Sequence, residues 1–122
     1  MTVHDFLKLS NDQVINQPFV DNLRSHYSAE LNNNKANQVF SSIPNGEFFD
    51  SDDIIRLLSH DEILNASREL DVDFVELQLI PLMDTGDNDF IVFDIDGGNW
   101  CKFNIVDSIK FKHKESLEGF FS

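Results

Sequence analysis

Between residues 74 and 104 the chain alternates apolar runs with short clusters of Asp, Gly and Asn, and that rhythm restricts the fold more than any other feature. Residues 74–82 read FVELQLIPL, with Glu76 and Gln78 placed to face outward from a strand. Residues 84–89 (DTGDND) form a turn cluster, and residues 90–95 (FIVFDI) suit a second strand. Residues 96–99 (DGGN) make a tight hairpin connection into a third strand at 100–104, and residues 105–111 continue the pattern more weakly. Strands joined by connections this short can pair only antiparallel, so this half of the chain is a meander.

The first half carries a different period. Pro18 opens a segment in which Phe19, Val20, Leu23, Tyr27 and Leu31 share one helical face, which predicts a helix over 18–31. A shorter helical piece is expected at 3–9, and Asn32, Asn33 and Asn34 form a loop. Val39, Phe40 and Ile43 suggest a short strand over 38–43, followed by a turn at 44–46 and an extended piece at 47–49. Ser51, with Asp52 and Asp53 behind it, has the form of a helix N-cap, with Ile54, Ile55, Leu57 and Leu58 as the apolar face. Ser59 followed by Glu62 matches a capping box and predicts a helix over 60–70 that buries Ile63, Leu64, Ala66 and Leu70. Residues 116–121 suit a final short helix packed on the sheet. The expected fold is α+β, one domain of 122 residues with a central antiparallel sheet flanked by helices.

Charge bounds the partners. Nine basic against 22 acidic residues give a formal charge of −13. Such a field repels phosphate backbones and anionic lipid and attracts cationic proteins, so neither direct nucleic-acid binding nor membrane binding is expected. The hydrophobic fraction of 41% is enough to fill a core in spite of that charge. A lone cysteine, Cys101, permits no internal disulfide and fits a reducing compartment. The opening residues MTVHD lack the basic and apolar regions of a signal peptide, and no apolar run approaches the roughly 20 residues of a membrane span, so a cytoplasmic location is expected.

The sharpest chemical feature is carboxylate: Asp84, Asp87, Asp89, Asp94 and Asp96 in the meander, with Glu47, Asp50, Asp52 and Asp53 upstream. Functionally these residues could mimic phosphate and enter the cationic groove of a partner, with steering that speeds the encounter. Structurally the same residues serve as turn formers, helix caps and solubilising charge. From this set Glu47, Asp50, Asp84, Asp87, Asp89, Asp94 and Asp96 are taken as partner-binding candidates. A calcium loop is the competing use, but counting from Asp94 puts Ile105 at the twelfth position and counting from Asp87 puts Gly98 there, so neither closes with a glutamate. No metal and no cofactor is expected. His4, His26, His60 and His113 share no ligand spacing, and Gly97–Gly98 lacks the ending of a phosphate-binding loop. Cys101 should point to the face opposite Trp100 and Lys102 as a structural thiol, and Trp100 suits either core or interface. No residue set reads as catalytic, and the expectation is a binding protein, not an enzyme.

Residues 80–82 (IPL), the acidic glycine-bearing turn, the FIVFD strand, the Gly–Gly hairpin and the terminal SLEGFF together resemble the SUKH superfamily, the yeast cell-wall-assembly-regulator type of domain. Residues 45–54 (NGEFFDSDDI) are similar to the family's strand-into-helix stretch, and the likeness covers residues 44–121. It departs in the N-terminal third, where the PFVDNL segment matches loosely and the three asparagines stand in place of a glycine turn. The resemblance implies helices around an antiparallel sheet and, for bacterial members, an immunity protein that neutralises a cognate toxin, often a nuclease, by stoichiometric binding. For fungal members it implies a regulatory interaction module with no toxin. Exposed sheet edges leave a homodimer open.

Overall fold

The computed structural model describes residues 2–12, 14–44 and 55–121. Three helices come first, α1 (Val3–Asp12), α2 (Gln17–Tyr27) and α3 (Asn34–Ser41), then β1 (Arg56–Leu57), α4 (His60–Leu70) and a single turn α5 (Phe74–Leu77). The meander follows as β2 (Leu79–Gly86), β3 (Asp89–Asp94), β4 (Asn99–Asn104) and β5 (Ile109–Lys114), with a 3₁₀ turn at Leu117–Phe120. The sheet is antiparallel throughout, in the order β1-β2-β3-β4-β5. The architecture is α+β with a central sheet flanked by helices.

The β3–β4 register is unbroken, from Asp89 opposite Asn104 to Asp94 opposite Asn99. Alternation therefore assigns Phe90, Val92, Asp94, Cys101 and Phe103 to one face and Ile91, Phe93, Trp100 and Lys102 to the other. Both faces are covered, because Phe90 through Asp94 are all buried. On the first face Phe74 of α5 meets Phe103 edge-on, with ring centroids 6.0 Å apart, and α4 lies over Phe90 through Ala66 and Leu70. On the second, Trp100 packs between Phe40 of α3 and Phe93. The indole is core.

Capping sets the helix limits. The Ser59–Glu62 box is formed in both directions, and α4 stops at Asp71, which adopts a left-handed conformation (φ 54°). Asn16 caps α2 and Asn33 caps α3, each side-chain oxygen accepting a backbone N–H three residues on. Tyr27, the last residue of α2, donates its hydroxyl hydrogen to Leu79 O at 2.7 Å, which ties the helical layer to the start of β2. Burial pushes the Tyr27 phenol far above its ordinary range, so it stays neutral.

Four expectations are corrected. The strand expected over 38–43 is the end of α3 and its C-cap: Asn33 caps the helix, Ala36, Val39 and Phe40 face inward from it, and Ile43 is buried just beyond its end. The strand over 74–82 starts only at Leu79, because Asp73 caps a helical turn that Gln78 ends with φ 56°. Residues 55–58 are not helical: Arg56 and Leu57 form the short edge strand β1, paired to Asp84 and Met83, where the helix expected after Ser51 would have continued. The helix over 18–31 closes at Tyr27, where Ser28 turns left-handed (φ 49°) and Leu31 reaches the core from a loop. The turn at 45–46, the piece at 47–49 and the Ser51 cap lie outside the described residues, as do Glu47, Asp50, Asp52 and Asp53.

Candidate functional site

The hairpins decide where each carboxylate goes. Asp87 (φ 55°) and Asn88 (φ 66°) form the two-residue β2–β3 turn, a doubly left-handed conformation that Asp and Asn tolerate better than other side chains. The β3–β4 and β4–β5 loops share a design. Asp94 and Asn104 head four-residue loops, each accepting backbone N–H groups through its side chain, and a left-handed residue closes each loop, Gly98 (φ 68°) or Ser108 (φ 54°).

Consecutive hairpins open at opposite ends of the sheet, so the acidic residues are separated. Asp87 and Asp89 sit at one end with the 105–108 loop; Asp94 and Asp96 sit at the other. Five strand steps from Asp89 to Asp94 span about 17 Å. The carboxylates of the meander do not form one patch.

Their roles differ too. Asp94 is 4% exposed and fully engaged: Oδ1 accepts Gly97 N–H at 3.1 Å and Oδ2 lies 3.1 Å from Lys110 Nζ. Its side chain belongs to the fold, which removes it from the partner-binding surface. Asp89 accepts from Asn104 Nδ2 at 2.8 Å, and Asp84 accepts Gly86 N–H at 2.9 Å beside the Arg56–Glu62 pair. Both are half-buried turn stabilisers. Asp87 and Asp96 are exposed.

Sequence reasoning missed two surface features. The end bearing Asp87 also exposes Val106 (69%) and Ile109 (55%), a small apolar pair beside an acidic turn. The edge strand β5 carries Lys110, Lys112 and Lys114, and a register shift against β4 with Lys112 at φ 53° marks a bulge. Lysines and a bulge both hinder pairing with a second sheet. The alternating lysines were visible in the sequence; the bulge had no sequence signal.

A cleft of about 180 Å³ opens between the loop joining α2 to α3 and the β3–β4 end of the sheet. Leu31, Phe40, Ile80 and Phe93, each 5% exposed or less, lie beneath it with half-buried Ile95 beside them, and Glu30, Asn32 and Asn33 also line it. None of the earlier candidates among the described residues lines it, because it is made by a loop and strands distant in sequence. The closest sequence signal was the break in amphipathic pattern at Asn32–Asn34.

Cys101 is buried, and burial with the neighbouring Asp94 charge pushes its thiol up to about 11, so a thiolate is disfavoured at neutral pH. His60 stacks on Phe19 with ring centroids 3.7 Å apart and hydrogen-bonds Phe40 O at 2.9 Å. Among the described residues no group of three or more His, Cys, Asp or Glu side chains converges on a metal position, and no helix is long and apolar enough to cross a membrane. No protein-family model, curated protein or solved structure matches the chain.

Proposed function

We propose that this chain is an immunity-type binding protein that neutralises a cationic toxin domain, a nuclease foremost, by forming a stoichiometric complex. One observation carries the reading: the acidic field is left largely uncompensated. In the ion pairs between described residues only three carboxylates take part, Asp21, Glu62 and Asp94. The other described acids, Asp87 and Asp96 among them, add to a field of −13 that a basic surface would feel at long range. Such a field accelerates association, whereas affinity needs an apolar or aromatic anchor. The SUKH-like pattern of residues 80–121 supports the same reading, with the protein in the cytoplasm where it would meet an incoming or newly made toxin.

The test is genetic and biochemical together. The product of the adjacent reading frame, expressed alone, should arrest growth, and co-expression of this chain should restore it. The two purified proteins should elute as one complex of equal stoichiometry. Absence of toxicity, with co-purification of housekeeping proteins instead, would assign the chain to the regulatory branch of the resemblance.

A further inference from the structure

The cleft beside the β3–β4 hairpin has walls that are fixed before anything enters. Leu31 O accepts from Arg24 Nη2 at 3.2 Å and from Asn37 Nδ2 at 2.9 Å, and Asn33 Oδ1 holds Ala36 N–H at 3.0 Å, so the loop side is pinned at three points. Opposite it, Ile95 N–H bonds Gln78 O at 3.0 Å and Gly98 N–H bonds Asp94 O at 2.8 Å. A site ordered in advance loses less freedom on binding. Those same bonds decide what can bind. Asn37 Nδ2 and Asn33 Oδ1 are committed to backbone, which leaves the polar atoms open to an occupant mainly on the side of Glu30 and Asn32. Its floor is aliphatic and aromatic. At the rim stands Glu30, and the exposed Asp96 sits in the hairpin between Ile95 and Gly98; no lysine or arginine lines the cleft among the described residues.

We infer that this cleft is the anchor pocket for the partner: it takes one large apolar or aromatic side chain from a basic protein segment, with a flanking lysine or arginine against Glu30 and Asp96. This rests on the binding reading above and supplies the apolar anchor that a diffuse acidic field lacks. Charge complementarity selects the occupant: an acidic segment would bring like charge to the rim, and a second copy of this chain would do the same.

Isotope-labelled protein titrated with three capped tripeptides, Arg-Trp-Arg, Arg-Ala-Arg and Glu-Trp-Glu, tests it by amide chemical shifts. Arg-Trp-Arg should saturably move the amides of residues 31–37 and 95–98, and the other two should leave them in place. Glu30→Lys should weaken Arg-Trp-Arg by at least about fivefold. Should that variant lose its native spectrum, Glu30→Gln replaces it and should weaken binding by a smaller factor. Silence at those amides at about 5 mM peptide overturns the inference, and so does an equal response to Arg-Ala-Arg or Glu-Trp-Glu. The co-expression assay separates the two levels. Peptide seating without rescue from the toxin keeps the pocket and removes the immunity reading. Full rescue by a folded Glu30→Lys, Ile95→Lys double variant keeps immunity and removes the pocket.

Discussion

Lys110 Nζ lies 3.1 Å from Asp94 Oδ2, and the strand register sets Cys101 between the two residues on the same face of the sheet. Lys110 stands opposite Phe103 and Asp94 opposite Asn99, so the partly exposed lysine reaches along the sheet past Cys101 to the buried carboxylate. The carboxylate at the far end is the buried member. Removing it should therefore cost more than removing the lysine.

Asp94→Ala deletes the acceptor for Gly97 N–H together with the ion pair and should destabilise the fold by about 2–4 kcal/mol; Lys110→Met, at a partly exposed partner, should cost about 1–2 kcal/mol. Urea unfolding measures both. The hydrogen bond that Lys110 donates to Asp94 raises its amine above the ordinary value. A raised folded value means that the contribution is complete below the unfolded lysine pKa, about 10.4, and fades as pH rises through the folded one. The gap between wild type and Lys110→Met should stay flat across neutral pH and close only in alkali. Equal costs for the two variants would contradict the asymmetry of burial.

Glu62 gives the opposite sign. Burial pushes its carboxyl up, but Ser59 N–H and the Arg56 guanidinium outweigh that and hold it below the usual range. A depressed folded pKa contributes stability above the unfolded value, near 4.3, and loses it as pH falls through the folded one. Glu62→Gln keeps an acceptor for Ser59 and loses the ion pair, at about 0.5–1 kcal/mol; Glu62→Ala also opens the capping box, for about 1 kcal/mol more. Once the pH has fallen through the depressed folded value, the Glu62→Gln difference should vanish. A difference that persists there would mean that packing, not charge, sets it.

Cys101 should be chemically silent in the folded protein. Its buried thiol, pushed up to about 11, presents little thiolate at neutral pH. Ellman's reagent should label the native chain at least about a thousandfold more slowly than the unfolded chain, at a rate set by opening of the sheet. Labelling within seconds under native conditions would reinstate a reactive cysteine.

The elements legible in the sequence are those with a local chemical mark. Ser59 and Glu62 announced α4 because the box is made by two side chains three residues apart, and the Asp–Gly–Asn clusters announced the meander because hairpins need left-handed residues. Residues 38–43 misled because Val39, Phe40 and Ile43 favour strands as single residues; only with Ala36 does their helical spacing emerge, and Asn33 then becomes its cap. Residues 74–77 misled because a one-turn helix is too short to show a period, and its marks are Asp73 and the left-handed Gln78. The acidic candidates were legible as residues but not as a surface. Which end of the sheet an aspartate occupies depends on counting hairpins, and the burial of Asp94 depends on a lysine sixteen residues away. The cleft was invisible for the same reason, since its floor joins Leu31 and Phe40 to Ile80 and Phe93.

The separation of Asp87 from Asp96 gives a kinetic test of how the partner docks. Both are exposed and both contribute to the long-range field, so reversing either to lysine should slow association by a similar small factor, about two- to fivefold, and flatten its salt dependence. Dissociation should not treat them alike. The pocket lies at the Asp96 end, and Asp87 lies beyond the opposite end of β3, a strand that itself spans about 17 Å. Asp96→Lys should therefore also speed dissociation, by about tenfold or more, because it puts a cation where the partner brings its own. Asp87→Lys should leave dissociation within about twofold of wild type. Stopped-flow binding to the toxin domain, at two ionic strengths, reads both rates. Faster dissociation from Asp87→Lys alone would move the contact to the opposite end, onto the turn flanked by Val106 and Ile109, and the cleft would then be a feature of packing with no part in recognition.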